Sequence, residues 1–325
     1  MVAAVPLDDR FVHFFGGKGG VGKTTMASAF SLRFADSGCR TLLVSTDPAH
    51  STSDILEHRL GPEPKRVADD FWAMEIDPSR EADLYIQGVK ERIAESTAPR
   101  LLAEVERQID VARVSPGAEE AALFERFTRL IEEAASDFDK IVFDTAPTGQ
   151  TLRLLSLPEL MSAWIGGLIG QRKKVNTLGK MWRNVAGAAA GDSVSVRDPV
   201  LEALEERRDR FGRTRKILTE PSRTSFVFVV TPERLPIWET EKAVNSLTKY
   251  GIPVGAVLVN RVLPKEADGA FLESRREREA ERLARVEKEF QSIPIRRIPL
   301  MESDVVGVES LRSLAVSYLE EIERR

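Results

Sequence analysis

Short apolar runs alternate along the chain with longer stretches in which apolar and charged residues recur at helical spacing. The short runs predict buried strands, and the longer stretches predict amphipathic helices. Such an alternation is typical of an α/β fold, in which a mostly parallel central sheet is flanked by helices. The predicted strands are residues 11–15, 41–46, 72–76, 140–143, 225–230, 254–260 and 295–298. The predicted helices are residues 23–37, 79–112, 118–135, 199–218, 238–249, 268–291 and 309–322.

A glycine-rich loop joins the first predicted strand to the first predicted helix. Gly17 is followed after four residues by Gly22, Lys23 and Thr24, which is the full spacing of a phosphate-binding P-loop. Glycines let the backbone turn its N–H groups toward phosphates, the lysine reaches the β- and γ-phosphates, and the threonine hydroxyl ligates Mg²⁺. The loop therefore predicts a nucleoside triphosphate site. Its predicted contacts are Gly17, Lys18, Gly19, Gly20, Val21, Gly22, Lys23, Thr24 and Thr25.

Aspartates follow two of the predicted strands, Asp47 after the second and Asp144 after residues 140–143. Functional groups of open α/β sheets collect at the carboxyl ends of the strands, which is also where the loop begins. Asp47 is therefore predicted to position an attacking water or the magnesium shell, and Asp144 to hold Mg²⁺ through water. The alternative for each is an aspartate that caps a turn or a helix.

Residues 154–191 differ in character from the rest of the chain. Apolar side chains recur there at helical spacing, but six glycines and a basic break interrupt the pattern. Glycine-broken apolar helices with methionine and tryptophan are typical of an adaptable binding surface. The alternative is an ordinary helical stripe that packs into the core. The candidate surface residues are Trp164, Ile165, Leu168, Met181 and Trp182.

Composition narrows the functional classes. The 325 residues are 42% apolar and 30% charged, as expected of a soluble globular protein. A net charge of −4 and a pI near 5.7 do not favour a nucleic-acid surface. The single cysteine, Cys39, excludes an internal disulfide and a thiolate metal cage. Residues 1–10 lack the pattern of a signal peptide, and no apolar run reaches about 18 residues, so we expect a cytoplasmic protein.

Several motifs occur in a specific order along the chain. They are GGKGGVGKTT at 16–25, STDPAHS at 45–51, SPGAEE at 115–120, FDTAPTGQTLRLLSLP at 143–158, PE at 232–233, ET at 239–240, VN at 259–260 and IPLM at 298–301. Together they resemble the arsenical-pump ATPase family, which includes the ATPase of the guided-entry pathway for tail-anchored membrane proteins. The resemblance covers essentially the whole chain. The lysine at position 18 makes the loop similar to the deviant Walker A motif of SIMIBI-type P-loop NTPases.

The resemblance implies a Mg²⁺-dependent ATPase that works as a homodimer. It assigns Asp47 to orienting the attacking water and Asp144 to the magnesium shell in the second switch segment. It also implies that Lys18 crosses the dimer interface to the partner's nucleotide, so that Lys18, Lys23 and Asp47 are the expected catalytic residues. The expected contacts to ribose and adenine are Glu233 and Asn260, with the base walled by Pro299, Leu300 and Met301.

The resemblance also implies one ATPase domain over 1–325, with a helical client-binding subdomain formed by about 85–128 and 154–220. The expected function is to capture hydrophobic transmembrane segments of tail-anchored proteins, with a membrane receptor as a further partner. The alternative is the soluble ATPase subunit of an arsenite or anion efflux pump. A partition-type ATPase that binds DNA is a third hypothesis, which the acidic pI opposes.

Some positions depart from the family pattern. Gln150 stands where the family often has histidine, which puts proton-linked behaviour of that segment in doubt. The helix near residues 274–279 carries arginine and glutamate instead of a cysteine pair, so no zinc is expected. Cys39 alone cannot supply the several thiolates with which pump ATPases bind arsenite, which counts against the metalloid branch.

Overall fold

The computed structural model describes residues 7–47, 51–96, 107, 118–145 and 199–319, which form a three-layer α/β fold. The strands in these ranges make one eight-stranded sheet of order β3-β4-β2-β5-β1-β6-β7-β8, in which only β3 runs antiparallel to its neighbour. The strands are β1 Val12–Gly16, β2 Thr41–Ser45, β3 Lys65–Ala68, β4 Phe71–Glu75, β5 Lys140–Asp144, β6 Thr224–Val230, β7 Val254–Val262 and β8 Ile295–Pro299. The helices are α1 Lys23–Asp36, α2 Ser51–Leu56, α3 Pro78–Ser96, α4 Ala118–Ala134, α5 Pro199–Thr219, α6 Arg234–Lys249, α7 Ala270–Glu289 and α8 Val308–Tyr318.

A separate apolar core covers each face of the sheet. On one face the sheet packs against α1, α2 and α8, and Phe30 of α1 and Leu311 of α8 are fully buried there. On the other face α4, α5, α6 and α7 contribute to the core, with Phe127, Phe211 and Val286 among the buried side chains. Both faces of the parallel strands are therefore covered, which explains why these strands are apolar at nearly every position.

Strand β1 lies in the middle of the sheet, between β5 and β6. Phe14 of β1 is in register with Phe143 of β5 and with Phe226 of β6. The ring centroids of Phe14 and Phe143 lie 4.9 Å apart, and those of Phe14 and Phe226 lie 6.1 Å apart. Such stacked pairs contribute about 0.5–1.5 kcal/mol each beyond their burial. This aromatic row fixes the register of the three strands whose carboxyl ends surround the glycine-rich loop.

The structure confirms the predicted α/β fold with its mostly parallel sheet. All seven predicted strands are present, and their ends differ from the predicted ends by at most two residues. The pattern missed β3, because a four-residue edge strand that begins with exposed Lys65 and Arg66 has no apolar run to mark it. Of the predicted subdomain, 85–128 and 154–220, the structure describes most of α3, the first part of α4, and α5, so its existence stays a prediction.

None of the helices within the described ranges is both long enough and apolar enough to cross a membrane.

The buried His13 of β1 generates a prediction about stability. Its side chain is fully buried, its Nε2 lies 3.0 Å from the carbonyl oxygen of Arg10, and its ring packs on Phe34. The pKa of His13 is lowered to about 3, mainly by burial and secondly by the positive charge of Lys140. Between about pH 3 and about pH 6.5 the unfolded chain therefore binds a proton at this position that the folded protein does not bind.

We expect the free energy of unfolding to fall as the pH drops below about 6.5, by about 1.4 kcal/mol per pH unit from His13 alone. His13→Gln, which does not titrate, should show a smaller slope between pH 6.5 and 4.5. Urea unfolding at several pH values measures both slopes. Equal slopes in the two proteins would contradict the prediction.

Candidate nucleotide site

The glycine-rich loop leaves the sheet at a topological switch point. From β1 the chain crosses to β2 and β4, returns through β5 on one side of β1, and then continues through β6, β7 and β8 on the other side. Ligands of open α/β sheets bind at such a point, outside the carboxyl ends of the strands. Residues 17–22 connect the carboxyl end of β1 to the first turn of α1, so the loop lies at this crevice.

The loop passes so close to the neighbouring strands that side chains are excluded at two positions. A Cβ on Gly17 would lie 2.2 Å from the carbonyl oxygen of Val229 in β6, and Gly17 has a φ of +156°. A Cβ on Gly22 would lie 2.5 Å from the side-chain nitrogen of Asn260, and Gly22 has a φ of +97°. Glycine is the residue that tolerates both the close approach and the positive φ. The structure thus explains why glycine occupies these two positions of the P-loop.

Lys23 and Thr24 begin α1 with buried side chains. The hydroxyl oxygen of Thr24 lies 3.1 Å from the hydroxyl oxygen of Ser51, the first residue of α2. The free N–H groups of the first turn and the partial positive charge of the helix end favour an anion here. The arrangement fits the predicted phosphate contacts, and it links the loop to the segment that follows Asp47.

Asp144 is a buried acid at the edge of the site, and its pKa is strongly raised. It ends β5 in register with Ser45 of β2 and Phe15 of β1, and its side chain is fully buried. Neither carboxylate oxygen has a hydrogen-bond partner among the described residues. Burial raises the pKa of Asp144 to about 7, although the neighbouring Thr24 hydroxyl and the Lys23 charge favour its ionised form. A buried carboxylate with two free oxygens beside a threonine hydroxyl fits Mg²⁺, which prefers oxygen ligands.

A second carboxylate holds the segment after Asp47 in place. Both oxygens of Glu75, at the end of β4, accept hydrogen bonds from Ser53, at 2.8 Å from its N–H and 2.9 Å from its hydroxyl. The Ser53 oxygen in turn accepts the N–H of Leu60. Glu75 therefore holds α2 in place, and α2 in turn places Ser51 against Thr24. Asp47, at the end of β2, is half-buried, and the negative charges of Asp47 and Glu75 contribute to the raised pKa of Asp144.

A cleft of about 1000 Å³ extends from the loop along the carboxyl ends of β6, β7 and β8. Its walls include the predicted contacts Lys18, Glu233 and Leu300. Pro299 ends β8, and Met301 follows Leu300 half-buried against the core of the α1 face. The cleft therefore lies where the base and the sugar of a nucleotide would bind beside the phosphate loop. The individual roles of these residues stay predictions.

Lys18 contacts its own subunit in this structure. Its ammonium group lies 3.4 Å from a carboxylate oxygen of Glu239 in α6, and both side chains are partly exposed. An exposed pair of this kind contributes about 0–1 kcal/mol and is broken easily. The predicted contact of Lys18 with a partner's nucleotide would require this pair to open.

Some predicted site residues lie outside the described residues. They are the surface candidates Trp164, Ile165, Leu168, Met181 and Trp182, together with Gln150 and the Pro48–His50 part of the STDPAHS motif. Three contacts were not predicted. Ser51 belongs to a motif that the sequence analysis used, and Glu75 ends an apolar strand as Asp144 does, so each carried a signal. Glu239 belongs to the ET motif at 239–240, but nothing in the sequence indicates that it pairs with Lys18.

A comparison with known protein families shows to which family the chain belongs. The family model described as anion-transporting ATPase matches residues 10–320. The chain belongs to this family. It is accordingly an ATPase, as the predicted P-loop and the geometry around Lys23 and Asp144 led us to expect.

Relatives match over nearly the full chain. The chain is 38% identical to a protein named putative arsenical pump-driving ATPase 2 from Aquifex aeolicus, over 94% of this chain and 97% of that protein. It is 36% identical to a putative arsenical pump-driving ATPase from Halobacterium salinarum, over 95% of this chain but 44% of that protein. It is 30% identical to ATPase ASNA1 homolog 1 from Paramecium tetraurelia, over 92% of this chain and 89% of that protein.

The close approach of Gly17 to β6 generates a prediction. Gly17→Ala should lower the free energy of unfolding of the nucleotide-free protein by about 2 kcal/mol or more, because the methyl group must displace the Val229 backbone and the φ is unfavourable. Gly19→Ala is the matched control, since a Cβ at Gly19 meets no atom within 4 Å. Thermal melts of the three proteins without nucleotide measure the effect. Equal destabilisation by both substitutions would contradict it.

Proposed function

We propose that this ATPase is a Mg²⁺-dependent cytoplasmic homodimer that captures hydrophobic transmembrane segments of tail-anchored proteins and delivers them to a membrane receptor. The observation that carries the proposal is the stretch 154–191, whose glycine-broken apolar stripes follow the loop after Asp144 without a linker. A change at the γ-phosphate position can therefore be passed directly to an apolar surface. The resemblance of the whole motif series to the targeting branch supports the same function.

In the proposed hydrolysis, some residues of the site bind the phosphates and Mg²⁺, and another positions the attacking water. Loop N–H groups and Lys23 bind the phosphates, and Thr24 and Asp144 would hold Mg²⁺, which neutralises charge on the phosphates when it is bound. Asp47 follows β2 at the same edge of the sheet as the loop and orients the attacking water. Positioning and electrostatics supply nearly all of the catalysis in phosphoryl transfer. The loss of Asp47 should therefore stop turnover while leaving ATP bound.

In the proposed dimer, Lys18 acts on the nucleotide that is bound to the partner subunit. Lys23 already serves the phosphates of its own subunit, whereas Lys18 lies at the open side of the loop and pairs, among the described residues, with the partly exposed Glu239. A cation delivered by a partner can raise the rate about 10³-fold or more, as arginine fingers do. Large apolar side chains near this opening are exposed, namely Leu235, Trp238 and Phe271. A second subunit that covered them would bury apolar area and would place its own Lys18 near the nucleotide.

The alternative function is the ATPase subunit of an arsenite or anion efflux pump, and the names of two relatives favour it. Its chemistry requires several thiolates close together for a metalloid to bind. The chain has one cysteine, Cys39, which precedes β2 at the amino edge of the sheet, opposite the nucleotide cleft. The targeting function makes no such demand on cysteine, and we therefore favour it.

Mixing two inactive variants tests the dimeric site. Asp47→Asn and Lys18→Ala homodimers should each lose turnover. In a heterodimer the Lys18→Ala subunit keeps its own Asp47 and receives Lys18 from its neighbour, so one site works. Random mixing in equal amounts should restore about one quarter of the wild-type rate per subunit. Each variant incubated alone is the control. A fully active Lys18→Ala homodimer, or no recovery on mixing, would refute the crossing lysine.

Client capture tests the carrier function. One helix of about 12 residues spans about 18 Å, whereas a transmembrane segment of about 20 residues spans about 30 Å, so two subunits together match a client. Changing Trp164, Ile165, Leu168 and Met181 together to Asp should abolish co-purification with a co-expressed tail-anchored protein while the basal ATPase rate persists. Val316→Asp, at an exposed apolar position of α8, is the control for added charge.

A thermal melt decides between a binding surface and a core for these four positions, since four buried charges would unfold the protein. A folded wild-type protein that captures no tail-anchored client, but whose ATPase rate rises with arsenite, would support the pump function instead.

A further inference from the structure

The segment between β8 and α8, residues 300–307, is attached to the rest of the described structure by a backbone hydrogen bond at each end. At one end the N–H of Leu300 donates to a backbone carbonyl oxygen of β7 at 2.8 Å. At the other end the N–H of Gly307 donates to the carbonyl oxygen of Ile55 in α2, also at 2.8 Å. Residues 301–306 make no hydrogen bond or ion pair with the other described residues. The segment therefore connects the strands of the cleft to α2.

The first end of the segment lies in the candidate nucleotide cleft. The side chain of Leu300 lines the cleft and is 44% exposed, so a base bound there would cover apolar surface that is in contact with water. Further along, Met301 and Val305 pack against the apolar core of the α1 face, as does Ile55 of α2. Because protein cores are close-packed, a shift at the first end is transmitted along the segment.

The second end of the segment holds α2, which contacts the phosphate site. The hydroxyl oxygen of Ser51, at the start of α2, lies 3.1 Å from that of Thr24, the predicted Mg²⁺ ligand. Ser53, in the middle of α2, is bonded to Glu75. The bond from Gly307 is a third attachment, near the end of the same short helix. The position of Ser51 against Thr24 therefore depends in part on the 300–307 segment.

Strained backbone marks the place where the segment meets α2. Glu57, the residue after α2, has a left-handed φ of +54°. Gly307 has a φ of +80° and a ψ of +157°, a combination that is essentially restricted to glycine. A Cβ on Gly307 would lie 2.8 Å from Oε2 of Glu57, so the two residues lie directly against each other. Such conformations persist only where several contacts fix them, and they cluster at functional and switch segments.

We propose that Gly307 is a positioning residue that couples the base half of the nucleotide site to hydrolysis. A base that covers Leu300 fixes the 300–307 segment, and the bond at Gly307 then fixes α2. In this position α2 holds Ser51 against Thr24. The inference rests on the proposed nucleotide site. It predicts that the base contributes to kcat as well as to affinity, so that a polyphosphate without a base is hydrolysed slowly even at saturation.

The first test measures kcat and KM for ATP and for inorganic tripolyphosphate, both with Mg²⁺. Gly307→Ala should lower kcat for ATP by about tenfold and leave the values for tripolyphosphate within about twofold, as expected when one hydrogen bond of the coupling is lost. Gly38→Ala is the control for backbone strain, since Gly38 follows α1 with a φ of +84° and a Cβ there meets no atom within 4 Å. It should lower the melting temperature without changing the ratio of the two kcat values.

A merely structural role of Gly307 would lower both rates together, and an unchanged kcat ratio in Gly307→Ala would overturn the proposal. A wild-type protein that hydrolyses saturating tripolyphosphate as fast as ATP would overturn it as well. A wild-type protein that neither binds nor hydrolyses ATP would refute the nucleotide site itself, which is a separate and distinguishable failure.

Hydrogen exchange measured by mass spectrometry tests the coupling in the wild-type protein, without any substitution. At saturation with Mg²⁺ present, a non-hydrolysable ATP analogue should slow exchange in residues 300–307 and should slow it in residues 51–56 more than tripolyphosphate does. In folded Gly307→Ala this additional protection of residues 51–56 should disappear. Equal protection of residues 51–56 by the two ligands in the wild-type protein would contradict the coupling.

Discussion

The path of the phosphate loop is set by a backbone carbonyl of β6 and a side-chain amide of β7. Gly17 lies against the Val229 carbonyl of β6, and the Val21 carbonyl is bonded to Asn260 of β7. Strand β6 is held in register with β1 by the stacked Phe14 and Phe226, and β7 pairs in turn with β6. The geometry of the loop is therefore a property of the sheet as a whole, and a shift of one strand would move the contacts that hold the loop in place.

The site combines a buried acid with nearby positive groups. Asp144 is taken out of water by the sheet and by α1, which raises its pKa, while Lys23 and the Thr24 hydroxyl partly offset that cost. Buried charges of this kind are stable when they are paired or bound to a cation. Two separate contacts hold α2 beside this acid, one from Ser51 to Thr24 of the loop end and one from Ser53 to Glu75 at the end of β4. The residues that are predicted to bind phosphate and Mg²⁺ thereby lie at the same edge of the sheet.

Local signals in the sequence account for much of the fold. Continuous apolar runs such as Leu42–Val44 mark strands that are buried on both faces, and the glycine spacing from Gly17 to Gly22 marks the loop. The approximate place of the site followed from Asp47 and Asp144, since acids after parallel strands collect at one edge. These features depend on residues close together along the chain, which is why pattern and motif were sufficient.

Contacts between distant parts of the chain were beyond such reasoning. Asn260 and Val21 are 239 positions apart, and only the strand order shows that their sheet positions meet. The same applies to Lys18 and Glu239, for which a charge on one helix has no preferred partner in the sequence. Strand β3 was missed for a different reason, because an edge strand needs little burial and so carries no apolar pattern.

The character of the sheet edges has a consequence for how the protein associates. β3 presents exposed Lys65 and Arg66 at one edge, and β8 carries Arg296 and Arg297 and ends in Pro299 at the other. Charged side chains and proline discourage another chain from adding a strand to the unpaired backbone groups of an edge. Growth of the sheet into fibres is thus disfavoured in both directions. The protein can therefore reach a high local concentration without its own sheet becoming a template for aggregation.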